Sequence, residues 1–284
     1  MIDCRKIAQD IKDDCKERLA NLNGKDYYLK IIQVEGDLAS NAYTTGKKKD
    51  CEEIGLGYVH DLLPNDTTLA DIALSIDQGN KDDNCVGVIL QLPLPEHFKS
   101  VTEGLTMCIA PKKDVDGFVP YSQFDPCTPA GIIHIAKEQL GSLSGKVVTV
   151  IGRGKLVGAP LVQMLNKENA TIIQCNSRTP KNALKRACAM SDVIVTATGC
   201  INTISDDELS VIRDECVIID AGINRDENGK MCGDCDPYIY KVHDKITPVP
   251  GGVGLLTRAM LMQNCVRAAE RMEQVREEFA LHYE

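Results

Sequence analysis

The chain has 284 residues, a formal net charge of −9 at pH 7 and a hydrophobic fraction of 43%. This length predicts one large domain or two of ordinary size. The acidic balance, the absence of Trp and an aromatic content of only 4% argue against a nucleic-acid partner. No apolar run approaches the roughly 18 residues of a membrane span, and the charged N-terminus does not resemble a signal peptide, so we expect no membrane partner.

The thirteen cysteines are scattered, and many lie inside apolar segments. This usage is typical of small hydrophobic side chains in a reducing cytoplasm, where we expect the protein to be located. The one CxxC motif is Cys232–Cys235. A structural zinc site usually needs a second such pair or a Cys/His pair at suitable spacing, and none follows, so we expect no metal.

In chain order, the first half alternates helix and strand patterns. Helices are predicted over 2–22, 40–54 and 67–79, and strands over 27–34, 55–63 and 85–95. The third strand is ended by Pro93 and Pro95. Strands separated by helices of this length predict βαβ units and a parallel sheet.

Residues 111–131, rich in Pro, Gly and Asp, are predicted to be a domain junction. Four further strands follow, over 146–152, 170–177, 191–199 and 215–222, and a long amphipathic helix is predicted over about 255–281. The fold class is therefore α/β with two domains. They are an N-terminal parallel-sheet domain, 1–120, and a C-terminal Rossmann-like NAD(P)-binding domain, 121–284, with the last helix packing back on the first domain.

Glycines follow the first strand of the second half in the pattern G-x-G-x-x-x-G: Gly152, Gly154 and Gly158. Glycine permits a tight turn and lets main-chain N–H groups approach a pyrophosphate at a helix N-terminus. The alternative is a tight strand-to-helix turn that binds no ligand.

The end of the next strand bears on cofactor choice, because an acidic residue there usually binds the ribose 2′-hydroxyl of NAD. This chain has Asn176, Ser177 and Arg178 instead, and Arg153 lies within the glycine turn. Hydroxyl and guanidinium groups suit a 2′-phosphate, which favours NADP while leaving NAD possible. The alternative is that both arginines are ordinary surface charges.

On the helix predicted over 40–54, Tyr43, Lys47, Cys51 and Ile54 share one face. A lysine on a partly apolar face can transfer protons near neutral pH. A snorkelling surface lysine, or an ion pair with Asp50, is the alternative.

The neighbouring lysines, Lys48 and Lys49, fall away from this face. Each has a glutamate four residues on, Glu52 and Glu53. They are predicted to form a solvated, paired surface.

Gln91 is expected at the carboxyl end of a parallel strand, where binding groups collect, and it could orient a lysine or a substrate amide. Asp114 and Asp116 lie in the junction. Either could bind the N–H groups of a heterocycle, or stabilise the turn before Gly117.

Taken together, these residues resemble the methylenetetrahydrofolate dehydrogenase/cyclohydrolase family. The motifs occur in the family's order: ASNAYTTGKKKDCEEIG, GVILQLPLP, PKKDVDGF, PCTPAG, IGRGKLVGAP and TPVPGGVGLLT. The resemblance implies two domains flanking a cleft, with tetrahydrofolate derivatives held mainly by the first and NADP by the second. It also implies a homodimer formed through the second domain.

The resemblance further implies NADP-dependent oxidation of 5,10-methylenetetrahydrofolate and hydrolysis of the methenyl product to 10-formyltetrahydrofolate. Lys47 would be the acid/base, with Tyr43, Gln91 and Asp116 also in the catalytic site. Substrate-binding residues would be Ser40, Tyr43, Pro93, Asp116, Pro250, Gly251 and Gly252. Cofactor-binding residues would be Gly152, Arg153, Gly154, Gly158, Ser177, Arg178, Thr198, Gly199 and Ile223.

The sequence departs from the family pattern at Gly154, Asn176 and Leu255, where the family usually has Ser, His and Pro. The first two concern the cofactor pocket, so a cyclohydrolase with weak or altered-cofactor dehydrogenase activity is one alternative. A different two-domain NADP-dependent dehydrogenase and a regulatory nucleotide-binding module are the others.

Overall fold

The computed structural model describes residues 1–22, 26–36 and 38–283, with the side chains of 38–40, 42 and 279–283 outside the description. The chain forms two compact units. The first unit comprises Asp10–Asp125 and Arg258–Glu284, and the second comprises Met1–Gln9 and Pro126–Thr257. Each is built on its own parallel sheet.

The elements alternate along the chain. The strands are β1 (Tyr28–Val34), β2 (Gly57–Leu63), β3 (Cys85–Leu90), β4 (Val147–Ile151), β5 (Thr171–Cys175), β6 (Val193–Thr196), β7 (Val217–Asp220), β8 (Asn224–Arg225) and β9 (Met231–Cys232). The helices are α1 (Cys4–Ala20), α2 (Leu38–Ile54), α3 (Leu69–Lys81), a 3₁₀ helix (Glu96–Val101), α4 (Thr102–Thr106), α5 (Cys127–Leu140), α6 (Gly158–Lys167), α7 (Lys181–Met190), α8 (Asp206–Leu209), α9 (Ile239–Val242) and α10 (Val253–Tyr283).

The first sheet has the order β2-β1-β3 and is parallel throughout. Every residue of β3 is buried, so the strand is a continuous apolar run, as expected for the interior of a parallel sheet. Gln91 follows directly, and its main-chain N–H donates to Ile32 O of β1 at 2.8 Å. The hydrogen bonding of the sheet therefore extends to Gln91 and fixes the position of its main chain.

The second sheet has the order β5-β4-β6-β7, also parallel. Strand β4 lies between β5 and β6, so the chain leaves it in one direction and later returns to its other side. The carboxyl ends of β4 and β6 therefore form the switch point at which doubly wound sheets bind ligands. A short antiparallel hairpin, β8–β9, follows β7.

The structure confirms the α/β class and the alternation predicted from the sequence. Helix α3, for example, begins after Thr68, whose side chain and that of Asp71 form a reciprocal capping box. The 3₁₀ helix, α4 and the β8–β9 hairpin were not predicted, because such short elements carry little periodicity. Helix α5 begins at Cys127, inside the predicted junction, directly after Pro126.

All thirteen cysteines are free thiols, and most are buried among apolar side chains. Burial raises the pKa of Cys51 to about 12, so this thiol stays protonated at neutral pH. Within the residues that the structure describes, no helix combines the length and apolarity needed to cross a bilayer.

Candidate functional site

Lys47 lies on α2 and contacts the residue that follows β3. Its Nζ donates to Gln91 Oε1 at 3.1 Å. The Gln91 amide is fixed from its other end, because its Nε2 donates to Leu92 O at 2.8 Å. Gln91 is only 8% exposed, so the sheet holds an amide oxygen in a defined direction toward one lysine.

The predicted stripe on α2 runs from the core toward solvent. Cys51 and Ile54 are buried, whereas Tyr43 is 48% exposed. Lys47 lies between them at intermediate exposure. The lysine therefore lies where the helix face passes from the core to the surface, a position from which a side chain can meet a substrate.

Lys48 and Lys49 are exposed, as the helix geometry predicted. Lys48 Nζ lies 3.8 Å from Glu52 Oε1, with both side chains more than half exposed. Glu53 forms an ion pair with Lys12 of α1. The exposed Lys48–Glu52 pair contributes little to stability, so the part of α2 that carries it is a solvated surface.

Asp50, the alternative partner considered for Lys47, has other partners in the structure. Its carboxylate is buried, with Oδ2 3.0 Å from Arg258 Nε and Oδ1 3.6 Å from Lys12 Nζ. A Cβ at Gly46 would lie 2.1 Å from Arg258 Nη1, so the guanidinium crosses α2 where the side chain is missing. Burial raises the pKa of Asp50, and Arg258 and Lys12 oppose that rise.

The loop that carries Asp116 is anchored on β3. The buried Lys113 ammonium donates to Asp82 O at 2.8 Å and also to Cys85 O. Val115 packs over Gly87 of β3, where an added Cβ would lie 2.4 Å from Val115 Cγ2. Asp116 is partly exposed between these anchors and the following turn. The loop therefore presents its carboxylate from a rigid base.

The two junction carboxylates differ in their surroundings. Asp114 is buried, accepts the Val119 N–H at 2.9 Å through Oδ2, and accepts the Gly117 N–H at 3.1 Å through its main-chain oxygen. Asp114 thus has the turn-stabilising role that was the alternative for both residues. Of the two, Asp116 is the one that reaches the surface.

Two proline loops hold the remaining predicted substrate residues. The Leu92–Pro93 and Val249–Pro250 peptide bonds are cis, and both prolines are exposed. Gly251 has φ +97°, and a Cβ at Gly252 would lie 2.2 Å from Pro248 O, so neither position suits a larger residue. Ser40 lies on α2, but its side chain is outside the described residues.

The glycine turn follows β4 at the switch point of the second sheet. Gly152 has φ +123°, and a Cβ there would lie 2.2 Å from Ala197 O, directly after β6. A Cβ at Gly158 would lie 2.4 Å from Gly152 O. Both glycines are therefore required by close main-chain contacts. Gly154 is exposed, and the structure describes no atom within 4 Å of the position its Cβ would occupy.

The candidate 2′-phosphate residues, Arg153, Ser177 and Arg178, are all exposed. Asn176, one of the departures, closes the turn after β5. Its Oδ1 accepts the Arg178 N–H at 2.9 Å, and its own N–H donates to Thr179 Oγ1 at 2.9 Å. Asn176 therefore has a local structural role.

The other predicted cofactor residues follow β6 and β7. Gly199 has φ +65°, and Ile223 is 61% exposed. Thr198 donates its N–H to Asp234 Oδ2 at 2.6 Å. Nothing in the sequence pattern marks Asp234, because the CGDC segment carries a recognisable spacing only in its thiols.

Comparison with known proteins gives the family. A model described as the tetrahydrofolate dehydrogenase/cyclohydrolase catalytic domain matches residues 2–116, and the NAD(P)-binding domain of the same family matches residues 126–273. The chain belongs to the tetrahydrofolate dehydrogenase/cyclohydrolase family.

Individual relatives agree. The chain is 40% identical to the bifunctional protein FolD of Agathobacter rectalis and 39% identical to that of Bacillus subtilis, each over 95% of this chain and at least 98% of the relative. The Campylobacter jejuni FolD structure superposes with a TM-score of 0.85 at 35% identity, covering 95% of this chain and 98% of that one. A Trypanosoma brucei enzyme complexed with NADP and an inhibitor has a TM-score of 0.85 at 27% identity, covering 95% and 97%.

The burial of Asp114 leads to a test of pH dependence. Burial raises its pKa, so the folded state binds the proton more tightly than the unfolded state. The contribution of Asp114 to stability is then fully present below its unfolded-state pKa and is lost as the pH rises through its folded-state pKa. Asn stays neutral and can still accept the Val119 N–H. The free energy of unfolding of Asp114→Asn, measured against wild type by chemical denaturation, should therefore improve as the pH rises above the ordinary Asp pKa of about 4. A difference that stays constant over this range would contradict the assignment.

Proposed function

We propose that the protein oxidises 5,10-methylenetetrahydrofolate with NADP and hydrolyses the methenyl product to 10-formyltetrahydrofolate. The observation that carries the proposal is the hydrogen bond from Lys47 Nζ to Gln91 Oε1 at a strand end, in a chain of this family. The glycine turn and the strand order of the second unit supply the support for the cofactor.

For the hydrolysis, Lys47 is proposed as the proton-transfer group. Its neutral amine can take a proton from the water that attacks the methenyl carbon. The ammonium can then return this proton to N5 as the bond between carbon and N5 breaks, while the hydroxyl proton leaves to solvent and the carbonyl of the formyl group forms on N10. Gln91 accepts one N–H of Lys47, which restricts the rotation of the amine and aims its remaining groups at the substrate.

For the folate, Asp116 is the proposed anchor. A carboxylate can accept paired hydrogen bonds from the N–H groups of the pterin, and the buried base of its loop keeps it in place. Tyr43 can stack on or bond the substrate because its ring is exposed. The same proposal gives Ser40, Pro93, Pro250, Gly251 and Gly252 to the substrate pocket.

The second unit is the proposed site of NADP. The close main-chain contacts of Gly152 with Ala197 and of Gly158 with Gly152 keep the turn tight at the end of β4, where its N–H groups can approach a pyrophosphate. Gly154, Thr198, Gly199 and Ile223 belong to the same proposed site, on loops at the ends of β4, β6 and β7. When bound, NADP would accept the hydride from the methylene carbon. The protein's part is to bind and orient it.

Selectivity for NADP is assigned to Arg153, Ser177 and Arg178. They are exposed and include no carboxylate, which a 2′-phosphate would repel. Gly154 lies in open space, so the absence of a serine there removes one hydroxyl without distorting the turn. This supports a working dehydrogenase despite that departure.

We also propose a homodimer formed through the second unit and a cytoplasmic location, to which the free thiols are suited. Light scattering on the purified protein should then give about twice the chain mass of 31.1 kDa. A mass of one chain at micromolar concentration would exclude the dimer.

Removal of the Lys47 amine tests the hydrolysis. Lys47→Met keeps the length of the side chain, so methenyltetrahydrofolate should still bind, while its hydrolysis, followed by the loss of its absorbance, should fall at least about 100-fold. Lys48→Met on the solvated face is the matched control and should stay within about twofold of wild type. Hydrolysis at the original rate in Lys47→Met would refute the assignment.

Cofactor selectivity is tested by Arg153→Ala. Loss of a charge-assisted contact to the 2′-phosphate should raise the KM for NADP by about tenfold and change that for NAD by less than about twofold. The measurement is steady-state reduction of each cofactor with methylenetetrahydrofolate. Equal losses for both would show that Arg153 does not read the 2′-phosphate. No turnover with either cofactor in the wild type would leave only the cyclohydrolase.

A further inference from the structure

The CGDC segment has a role that its thiols do not explain. Cys235 is buried and Cys232 is partly exposed. In the described part of the chain, no group of three or more His, Cys, Asp or Glu side chains is placed to hold a metal ion. The two residues between the cysteines, Gly233 and Asp234, instead contact the loops proposed to bind the cofactor.

Asp234 joins two of these loops. Its side chain is fully buried, and its Oδ2 accepts both the N–H of Thr198 at 2.6 Å and the hydroxyl of Thr198 at 2.8 Å. Its Oδ1 accepts Asn224 Nδ2 at 2.8 Å. Thr198 precedes Gly199 in the loop after β6, and Asn224, the first residue of β8, directly follows Ile223 of the loop after β7. One carboxylate therefore binds Thr198, which precedes Gly199, and the side chain of the residue that follows Ile223.

The loop after β7 is shaped around this carboxylate. A Cβ at Gly222 would lie 2.2 Å from Asp234 Oδ1 and 2.5 Å from Asp234 N. The main chain next to Ile223 thus packs directly against Asp234. Any change in the position of that carboxylate will move the loop, because no flexible side chain lies between them.

Asp220, the last residue of β7, accepts hydrogen bonds from the main chain of the segment that contains Asp234. Its Oδ1 accepts the N–H groups of Asp234 at 3.0 Å and Gly222 at 2.8 Å. Its Oδ2 accepts the Cys235 N–H at 2.8 Å and the Tyr240 hydroxyl at 2.5 Å. The segment containing Asp234 is therefore bound to strand β7 of the sheet, so the two loops that contact Asp234 are held in fixed positions relative to that sheet.

The chemistry of the carboxylate is specific to this task. A buried carboxylate is costly unless its oxygens are hydrogen-bonded, and here they accept from a main-chain N–H, a hydroxyl and a side-chain amide. An asparagine has one acceptor oxygen, and its NH₂ group would face either the donors of Thr198 or the NH₂ of Asn224. Only an acceptor at both ends joins the two loops in this arrangement.

We propose that Asp234 is a positioning residue for the cofactor, acting through Thr198 and Asn224 on the loops that contact NADP. This inference rests on the proposed function. It predicts that the two activities of the protein separate when Asp234 changes, because Lys47 and Gln91 belong to the other unit.

The test is Asp234→Asn. We expect the KM and the dissociation constant for NADP to rise by about tenfold, while the rate of methenyl hydrolysis stays within about twofold of wild type. NADPH binding can be followed by nicotinamide fluorescence, since the chain has no Trp to interfere. Asp236→Asn is the matched control, because Asp236 Oδ1 accepts the Tyr238 N–H and an asparagine oxygen can do the same.

The contrary results are distinct. An unchanged KM for NADP in Asp234→Asn, with or without a lower melting temperature, would show a purely structural role and overturn the proposal. If this variant does not fold, Asn224→Ala tests the same link, with an expected rise of about threefold in the KM for NADP. An unchanged KM there would also overturn it. A wild-type protein without NADP turnover would refute the proposed dehydrogenase instead.

Discussion

The hydrogen-bonded parallel sheet imposes the constraint on which both candidate sites depend. A strand buried on both faces is mostly apolar, and the polar side chains of the candidate sites lie at or after strand ends. In the first unit β3 is buried throughout, and the first polar residue after it is Gln91. In the second unit β6 and β7 lead to Thr198 and Asp220. Parallel strands bring their carboxyl ends to one edge of their sheet, so in each unit the polar groups collect at the edge of that unit's own sheet.

The structure accommodates buried carboxylates in two different ways. Asp50 is paired with Arg258 and Lys12, so its charge is compensated by cations. Asp220 and Asp234 accept hydrogen bonds from N–H and O–H groups. The cationic arrangement ties helices together. The arrangement of neutral donors organises loop backbone, because each main-chain N–H that it uses belongs to a loop whose path is thereby fixed.

Several glycines of this chain are explained by the atoms that pack against them. The space that a Cβ would need is occupied by a guanidinium at Gly46, by a valine side chain at Gly87 and by a carboxylate at Gly222. Gly154, by contrast, lies in open space, and its presence in the glycine turn has no steric reason in the structure. The motif spacing alone treats all such glycines alike. Only the neighbouring atoms distinguish the ones that the fold requires.

The sequence by itself determined the features that depend on local periodicity and local bonding. The strand–helix alternation, the start of α3 beside the threonines at 67 and 68, and the separation of Lys47 from Lys48 on α2 all follow from spacing within a few residues. The glycine turn after β4 was visible for the same reason.

The tertiary structure alone decided the roles that depend on contacts between distant segments. Spacing allowed Asp50 to pair with Lys47, but Arg258, far along the chain, reaches it through the space at Gly46. Asp114 and Asp116 were equivalent by sequence, and burial made one structural. Asp234 could not be recognised from the sequence, because its role depends on hydrogen bonds from Thr198 and Asn224, which only folding brings close to it.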